Sequence, residues 1–255
     1  MIRYILLCVV FASLCSCASK KDIVYMQNIN AIGQDSLSYK PKFKPDDLLL
    51  IIISSENSDA TSKFNLPVFG TLSETNMESV SAQQRFQTYL VNNEGYIVLP
   101  VIGRFKIGGL TRDEAITSLK KEISKYVTID PIITMRIINY KVSVMGEVSR
   151  PNSFNIISER ITLLEALSLA GDMTIYGDRK DIVVLREING VKTYNSIDIT
   201  NADFITSPFY YLGQNDVVYV KPNQTRVNSS IIGPNLTVAI SALSLTIGLI
   251  ALITR

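Results

Sequence analysis

Histidine is absent from all 255 residues, and the three cysteines, Cys8, Cys15 and Cys17, lie within the first seventeen. Without histidine, the Ser–His and Cys–His nucleophile arrangements and most zinc sites have no members. Asp46 and Asp47 supply the paired carboxylates that glycoside cleavage requires. Pro45 before them and the apolar run after them favour another reading, a turn and the start of a strand. Gly33 and the Gly108-Gly109 pair fit no phosphate-binding pattern. These residues point to no enzyme, no cofactor and no metal. Lys plus Arg number 25 and Asp plus Glu 23, a net charge of +2, so no strong field recommends nucleic acid as a partner.

One thiol has a chemistry of its own. The opening MIRYILLCVVFASLCSC carries a positive charge at Arg3, an apolar run from Tyr4 to Ala12 and then small residues, the layout of a secretory signal. The chain is expected to leave the cytoplasm. Leu14-Cys15-Ser16-Cys17, an aliphatic residue, two small residues and a cysteine, resembles a bacterial lipobox, with Cys17 lipidated after cleavage. Acyl chains contribute about 0.8 kcal/mol per buried CH₂, so membrane lipid becomes a partner. The alternative is an ordinary signal cleaved elsewhere, leaving a thiol. A chain starting at Cys17 forms no internal disulfide, and its stability must come from packing. Residues 1–16 are thus expected to be the signal peptide and 17–38, polar and rich in small residues, a lipidated tether.

The far end poses a second problem. LTVAISALSLTIGLIALIT, residues 236–254, is nineteen residues long without a charge. As a helix it would extend about 28 Å, close to the ~30 Å hydrocarbon core, so residues 233–254 are expected to form a C-terminal transmembrane helix. Thr237, Ser241, Ser244, Gly248 and Ala251 recur at intervals of three or four and make one narrow stripe; Thr246 lies opposite. Small and hydroxylated residues on an apolar helix suit close helix packing or a wetted pore face. A plain single-span anchor and a buried core helix are the competing readings. The Gly233-Pro234-Asn235 breaker favours a segment oriented independently of what precedes it.

Between the ends, the texture is that of small mixed modules. Leu48 to Ile53 runs apolar without alternation, a strand buried on both faces. Ser54 to Thr88 is mostly polar and is read as a surface excursion. Asn93-Glu94-Gly95 is a turn between strands at Tyr89–Val91 and Tyr96–Leu99, with Pro100 and Gly103 ending the second. Thr111-Arg112-Asp113-Glu114 fits a capping box, followed by Ile116, Leu119, Ile123 and Tyr126 at helical spacing. A strand follows at Ile132 to Ile138. From Lys141 the pattern repeats: a strand, a turn at Ser149–Asn152, a short strand, and a second capping box at Thr162 to Glu165 whose helix stops at Gly171. Ile182–Leu185, an Asn189-Gly190 hairpin turn, Tyr194–Ile199 and Asp216–Val220 complete it. The two helix starts look alike, as a weak internal repeat or shared capping rules would both produce.

In order along the chain, these segments resemble the polysaccharide export family of outer-membrane lipoproteins, the Wza-like proteins. Lys44-Pro45-Asp46-Asp47-Leu48 stands where that family has Pro-Gly-Asp. Asn93 to Gly103 resembles its "dG-I-LP-iG" signature, and Gly109-Leu110-Thr111 its helix start. Gly146-Glu-Val-Ser-Arg-Pro151 is similar to the opening of the sugar-binding β-grasp (SLBB) module, Thr162 to Gly171 to its helix, and Gly213 to Val220 to its closing strand. The residues carried over as structural motif positions are Asp47, Gly95, Pro100, Gly103, Gly146, Pro151, Gly171 and Asp216. Asp46, Asn152 and Asp172 replace family glycines, and Asn and Asp tolerate left-handed backbone better than other residues.

The fold class expected is α+β, with two small mixed modules and the C-terminal transmembrane helix: a polysaccharide export domain at 39–140, one SLBB β-grasp-like domain at 141–222, and the helix at 233–254. The resemblance implies a lipid-anchored outer-membrane protein with its domains mainly in the periplasm, and a homo-oligomeric ring, an octamer, whose C-terminal helices form the exit for capsular or extracellular polysaccharide. It also implies an inner-membrane copolymerase of the chain-length-determinant type as partner. The competing account is a periplasmic lipoprotein that binds or scaffolds glycan without forming a pore.

Overall fold

The computed structural model describes residues 20–31, 39–56, 58–65, 67–68, 85–128, 130–188, 190–231 and 234–253. Cys17 and the expected signal lie outside them.

The first domain is built on strand β1 (Leu48–Ser54). Leu49, Ile51 and Ile53 are buried while Leu48, Leu50 and Ile52 are half-buried, so the run alternates after all and only one face is sealed. A short helix α1 (Ser58–Ser62) and two-residue strands β2 (Pro67–Val68) and β3 (Arg85–Phe86) occupy the segment read as an excursion. Strand β4 (Thr88–Leu90) returns antiparallel to β1. The hairpin is not where the turn at Asn93–Gly95 suggested: β5 (Tyr96–Leu99) pairs with β6 (Gly103–Lys106), a strand that sequence reading passed over. Helix α2 (Arg112–Ile123) starts at Thr111 with both bonds of the capping box and buries Ala115, Leu119 and Ile123. Strand β7 (Ile132–Ile137) completes a three-stranded antiparallel sheet in the order β4-β1-β7.

The second domain follows at once. Strands β8 (Lys141–Gly146) and β9 (Asn152–Asn155) form a hairpin, β10 (Ile161–Thr162) leads into helix α3 (Leu163–Leu169), and Thr162 closes the second capping box with Glu165. The long hairpin β11 (Gly177–Ile188) and β12 (Val191–Ile197) precedes β13 (Tyr211–Leu212) and β14 (Val217–Pro222). The five-stranded sheet has the order β12-β11-β14-β8-β9, and β14 lies parallel to β8 although more than sixty residues separate them. Leu163, Ala166 and Leu167 of α3 join Val142, Val144, Ile182, Val184, Val218 and Val220 in one core. Residues read as tether also dock here: Met26 and Gln27 donate their amides to the carbonyls of Ile199 and Thr200, and Tyr25 bonds Asp172 at 2.8 Å.

Helices α4 (Gln224–Ile231) and α5 (Pro234–Ile253) end the described chain. Among the described residues no helix is long and apolar enough to cross a membrane. The fold is mixed α+β, but the expected transmembrane helix is therefore corrected. The described stretch of α5 carries three hydroxyls, at Ser241, Ser244 and Thr246, which lower its apolarity.

Candidate functional site

Three residues, Ile138 to Tyr140, connect β7 to β8, and they are held from both sides. The Asn139 side chain donates to the Asp46 carbonyl at 2.9 Å and accepts from the Leu48 amide at 2.9 Å. Gln214 reaches back from the other domain, donating to the Asn139 carbonyl at 2.8 Å and accepting from the Lys141 amide at 2.7 Å. The Tyr140 hydroxyl donates to the buried Leu212 carbonyl at 2.6 Å, and burial pushes its pKa well above the ordinary phenol value. Ile137 packs against both cores, Tyr39 stacks on Tyr211 with centroids 4.8 Å apart, and Arg112 pairs with Glu159 across the seam. Side-chain amides that satisfy backbone groups on a linker leave it few alternative conformations.

Between the domains this leaves a cleft of about 670 Å³. Lys44, Pro45, Asp46 and Asn93 line it from the first domain; Glu187, Ile188, Gly190, Gln214 and Asn215 line it from the second. The loop carrying Gln214 and Asn215 is fixed by a buried ion pair. Asp216, 1% exposed, accepts from Arg186 at 2.6–3.0 Å and from the Gly213 amide at 2.6 Å, while Arg186 also donates to the Tyr211 carbonyl at 2.8 Å. Asp216 thus sets the shape of the second domain's wall.

Asp47 underlies the other wall. It is 1% exposed; one carboxylate oxygen accepts from the Lys44 amide at 2.8 Å, and the other is buried without a partner among the described residues. Burial lifts its pKa from 3.8 to about 6, against the Lys44 amide bond and ammonium charge, which pull it down. Asp46 beside it has φ +67°, the left-handed backbone expected of a glycine replacement. The two carboxylates therefore serve different ends: Asp47 closes the turn from within and Asp46 faces the cleft.

The other motif positions lie away from the cleft. Gly95 approaches Gly108 so closely that a Cβ on either would meet the other's backbone, and the Gly95 carbonyl accepts the amides of Ile107 and Gly108 at 2.9 and 2.8 Å. Pro100 and Gly103 bracket the tight turn of the β5–β6 hairpin, where Val101 has φ +66°. A methyl on Gly146 would overlap the Val220 carbonyl oxygen. Gly171, at φ +75°, and Asp172, at φ +66°, end α3, with the Asp172 amide donating to the Leu167 carbonyl at 2.8 Å. Pro151 is exposed at the β8–β9 turn, and Asn152 is in strand rather than left-handed backbone.

The stripe on α5 is described only in part. Ser241, Ser244 and Gly248 are exposed, and the Ser244 hydroxyl donates to its own helix at the Ile240 carbonyl, 2.8 Å away. The side chains of Thr237 and Ala251 lie outside the description. Among the described residues no group of three or more His, Cys, Asp or Glu is placed to hold a metal ion.

Residues 36–138 match the family described as polysaccharide biosynthesis/export protein, and residues 140–220 match the SLBB domain. Over residues 36–138 the chain is thus similar to the polysaccharide biosynthesis/export family. Two relatives carry the same name, EPS I polysaccharide export outer membrane protein EpsA. The one from Ralstonia solanacearum is 31% identical over 140 residues, covering 53% of this chain and 36% of that protein. The one from Ralstonia nicotianae is 35% identical over 102 residues, covering 38% and 26%. The chain thus aligns with about a third or less of these relatives' length. The boundary between the export-family match and the SLBB match falls at residue 139, on the clamped linker. The sequence singles out motif residues on both sides of it but not Asn139 and Arg186, which carry no motif, nor Gln214, which lies within the Gly213–Val220 motif without being one of its marked positions. The signal that could have found Arg186 is a lone arginine after the apolar run Ile182–Leu185, in a module whose closing strand starts with Asp216.

Proposed function

We propose that this chain is an outer-membrane component of a polysaccharide export apparatus, anchored by lipid at Cys17. Its domains lie mainly in the periplasm, where copies assemble into a ring that conducts capsular or extracellular polysaccharide to the surface. The observation that carries the reading is the export-family match followed directly by an SLBB match on one clamped body, in a chain similar to relatives named for polysaccharide export. The work asked of such a protein is positioning and passage, not bond chemistry. A polar wall with many shallow hydrogen-bonding positions suits it, since a deep well would stall a moving polymer. The candidate surface for self-association is α5, where Val238, Ile240, Leu243, Leu245 and Ile247 are all more than half exposed and the Ser241–Ser244–Gly248 stripe would allow close helix approach between copies. In this reading the ring has eight members and docks on an inner-membrane copolymerase, as the family resemblance of the sequence motifs implies.

Deleting the gene should abolish surface polysaccharide, and native mass measurement of gently extracted protein should give a closed multimer. A monomer that still binds glycan would favour the second account, a non-pore periplasmic scaffold. Replacing Cys17 with Ser should release the protein from the membrane fraction.

A further inference from the structure

We infer that the cleft between the two domains is a saccharide subsite that contacts a neutral, hydroxyl-rich segment of the exported glycan; this rests on the export reading above. Five side chains of the cleft, Lys44, Asp46, Asn93, Glu187 and Asn215, make no hydrogen bond among the described residues, although they converge from both domains on one space. Their chemistry is mixed: one cation, two carboxylates and two amides. A phosphate or sulfate would meet Asp46 and Glu187. A metal ion would meet Lys44 and, among the described residues, find no ligand cluster. A hydroxyl both donates and accepts, so a polyol satisfies all five at once. Two carboxylates against one ammonium also disfavour a glycan segment that itself carries carboxylates. Pro45 and Ile188, the latter 46% exposed, add an apolar patch for the C–H face of a sugar ring.

The site is preorganised. Gln214 is committed to the linker and Asp216 to Arg186, so the walls hold their shape while the five free groups face the space. Its volume lies in the range of roughly 300–1,000 Å³ usual for small-ligand sites. A smaller recess of about 40 Å³, lined by Asp47, shares Lys44 and Gln214 with the cleft. The unpartnered Asp47 oxygen needs a donor, and a water or a sugar hydroxyl reaching past Lys44 would provide it.

The test uses the full-length chain in detergent and short oligosaccharides released by mild acid from the host's own extracellular polysaccharide, titrated by calorimetry. Asn93→Ala combined with Glu187→Ala removes groups that hold nothing in the fold, so the variant should unfold at the wild-type denaturant concentration. The expected result is binding by the wild type and roughly tenfold weaker binding by the double variant, the loss of two modest hydrogen bonds. No binding by the wild type, or equal binding by both, overturns the subsite. In cells lacking the gene, loss of surface polysaccharide together with full restoration by the double variant would sink the cleft and leave the export reading intact. Unchanged surface polysaccharide in the deletion itself would instead bring down the export reading.

Discussion

Asp47 is a buried carboxylic acid with only half of its hydrogen-bonding capacity met among the described residues. Its carboxyl is sealed from water with one oxygen unserved, so the folded state prefers it protonated, with a pKa raised from 3.8 to about 6. That preference contributes stability fully below pH 4, and the contribution is lost as pH rises through 6. Wild-type stability should therefore fall between pH 4 and 6.5, and Asp47→Asn should flatten that slope. At pH 7.5 the variant should be more stable by about 1–3 kcal/mol, and at pH 4 the two should coincide, as read from urea unfolding at each pH. A wild-type stability that rises between pH 4 and 6.5, relative to the Asp47→Asn variant, would refute the assignment. Glycines give a second contrast at this scale. Gly146 and Gly103 both have positive φ, but a methyl at 146 collides with the Val220 backbone while one at 103 meets open space. Gly103→Ala should cost about 1–2 kcal/mol of strain alone, and Gly146→Ala more than about 3 kcal/mol, because β8 and β14 must part. Asp46 and Asp172 occupy left-handed backbone where family glycines would stand, whereas Asn152 does not; the replacement chemistry was readable, the local conformation less so.

At the scale of elements, local rules and tertiary rules separate cleanly. Both capping boxes formed at Thr111 and Thr162, since they need only four consecutive residues. Thr111→Ala and Thr162→Ala should each cost about 1 kcal/mol in thermal or urea unfolding. Strand β6 escaped notice because Gly103-Arg-Phe-Lys106 has one apolar residue, Phe105, and its reason to be extended is its partner β5. The run Leu48–Ile53 misled in the opposite direction. Six apolar residues suggested burial on both faces, but Leu48, Leu50 and Ile52 stay half-buried while Leu49, Ile51 and Ile53 are sealed, so only one face of the strand enters the core. The β13–β14 loop depends on Arg186, which comes from β11. Arg186→Met leaves the Asp216 carboxylate buried and unpaired, an expected loss of about 3–5 kcal/mol. The double variant with Asp216→Leu should recover much of it; equal damage in single and double variants would argue against the pair.

For the whole molecule, the linker decides whether two domains behave as one. Asn139, Tyr140 and Gln214 tie residues 138–141 to both sides through backbone groups, which predicts a single cooperative unfolding transition in the wild type. Asn139→Ala with Gln214→Ala should split it into two and expose the 138–141 segment to limited proteolysis. A single unchanged transition would show that the Tyr39–Tyr211 stack and the Arg112–Glu159 pair suffice. By itself, the sequence determined the order of the motifs, the two capped helices α2 and α3, the main strands and the motif turns, because each is specified within a few neighbouring residues. Only the tertiary structure decided that β8 and β14 run parallel, that Asp216 pairs with Arg186, that Tyr25 to Gln27 dock on the second domain, and that a polar cleft opens between the two. Those contacts join residues tens of positions apart, and no local spacing records which distant partner satisfies a buried charge or amide.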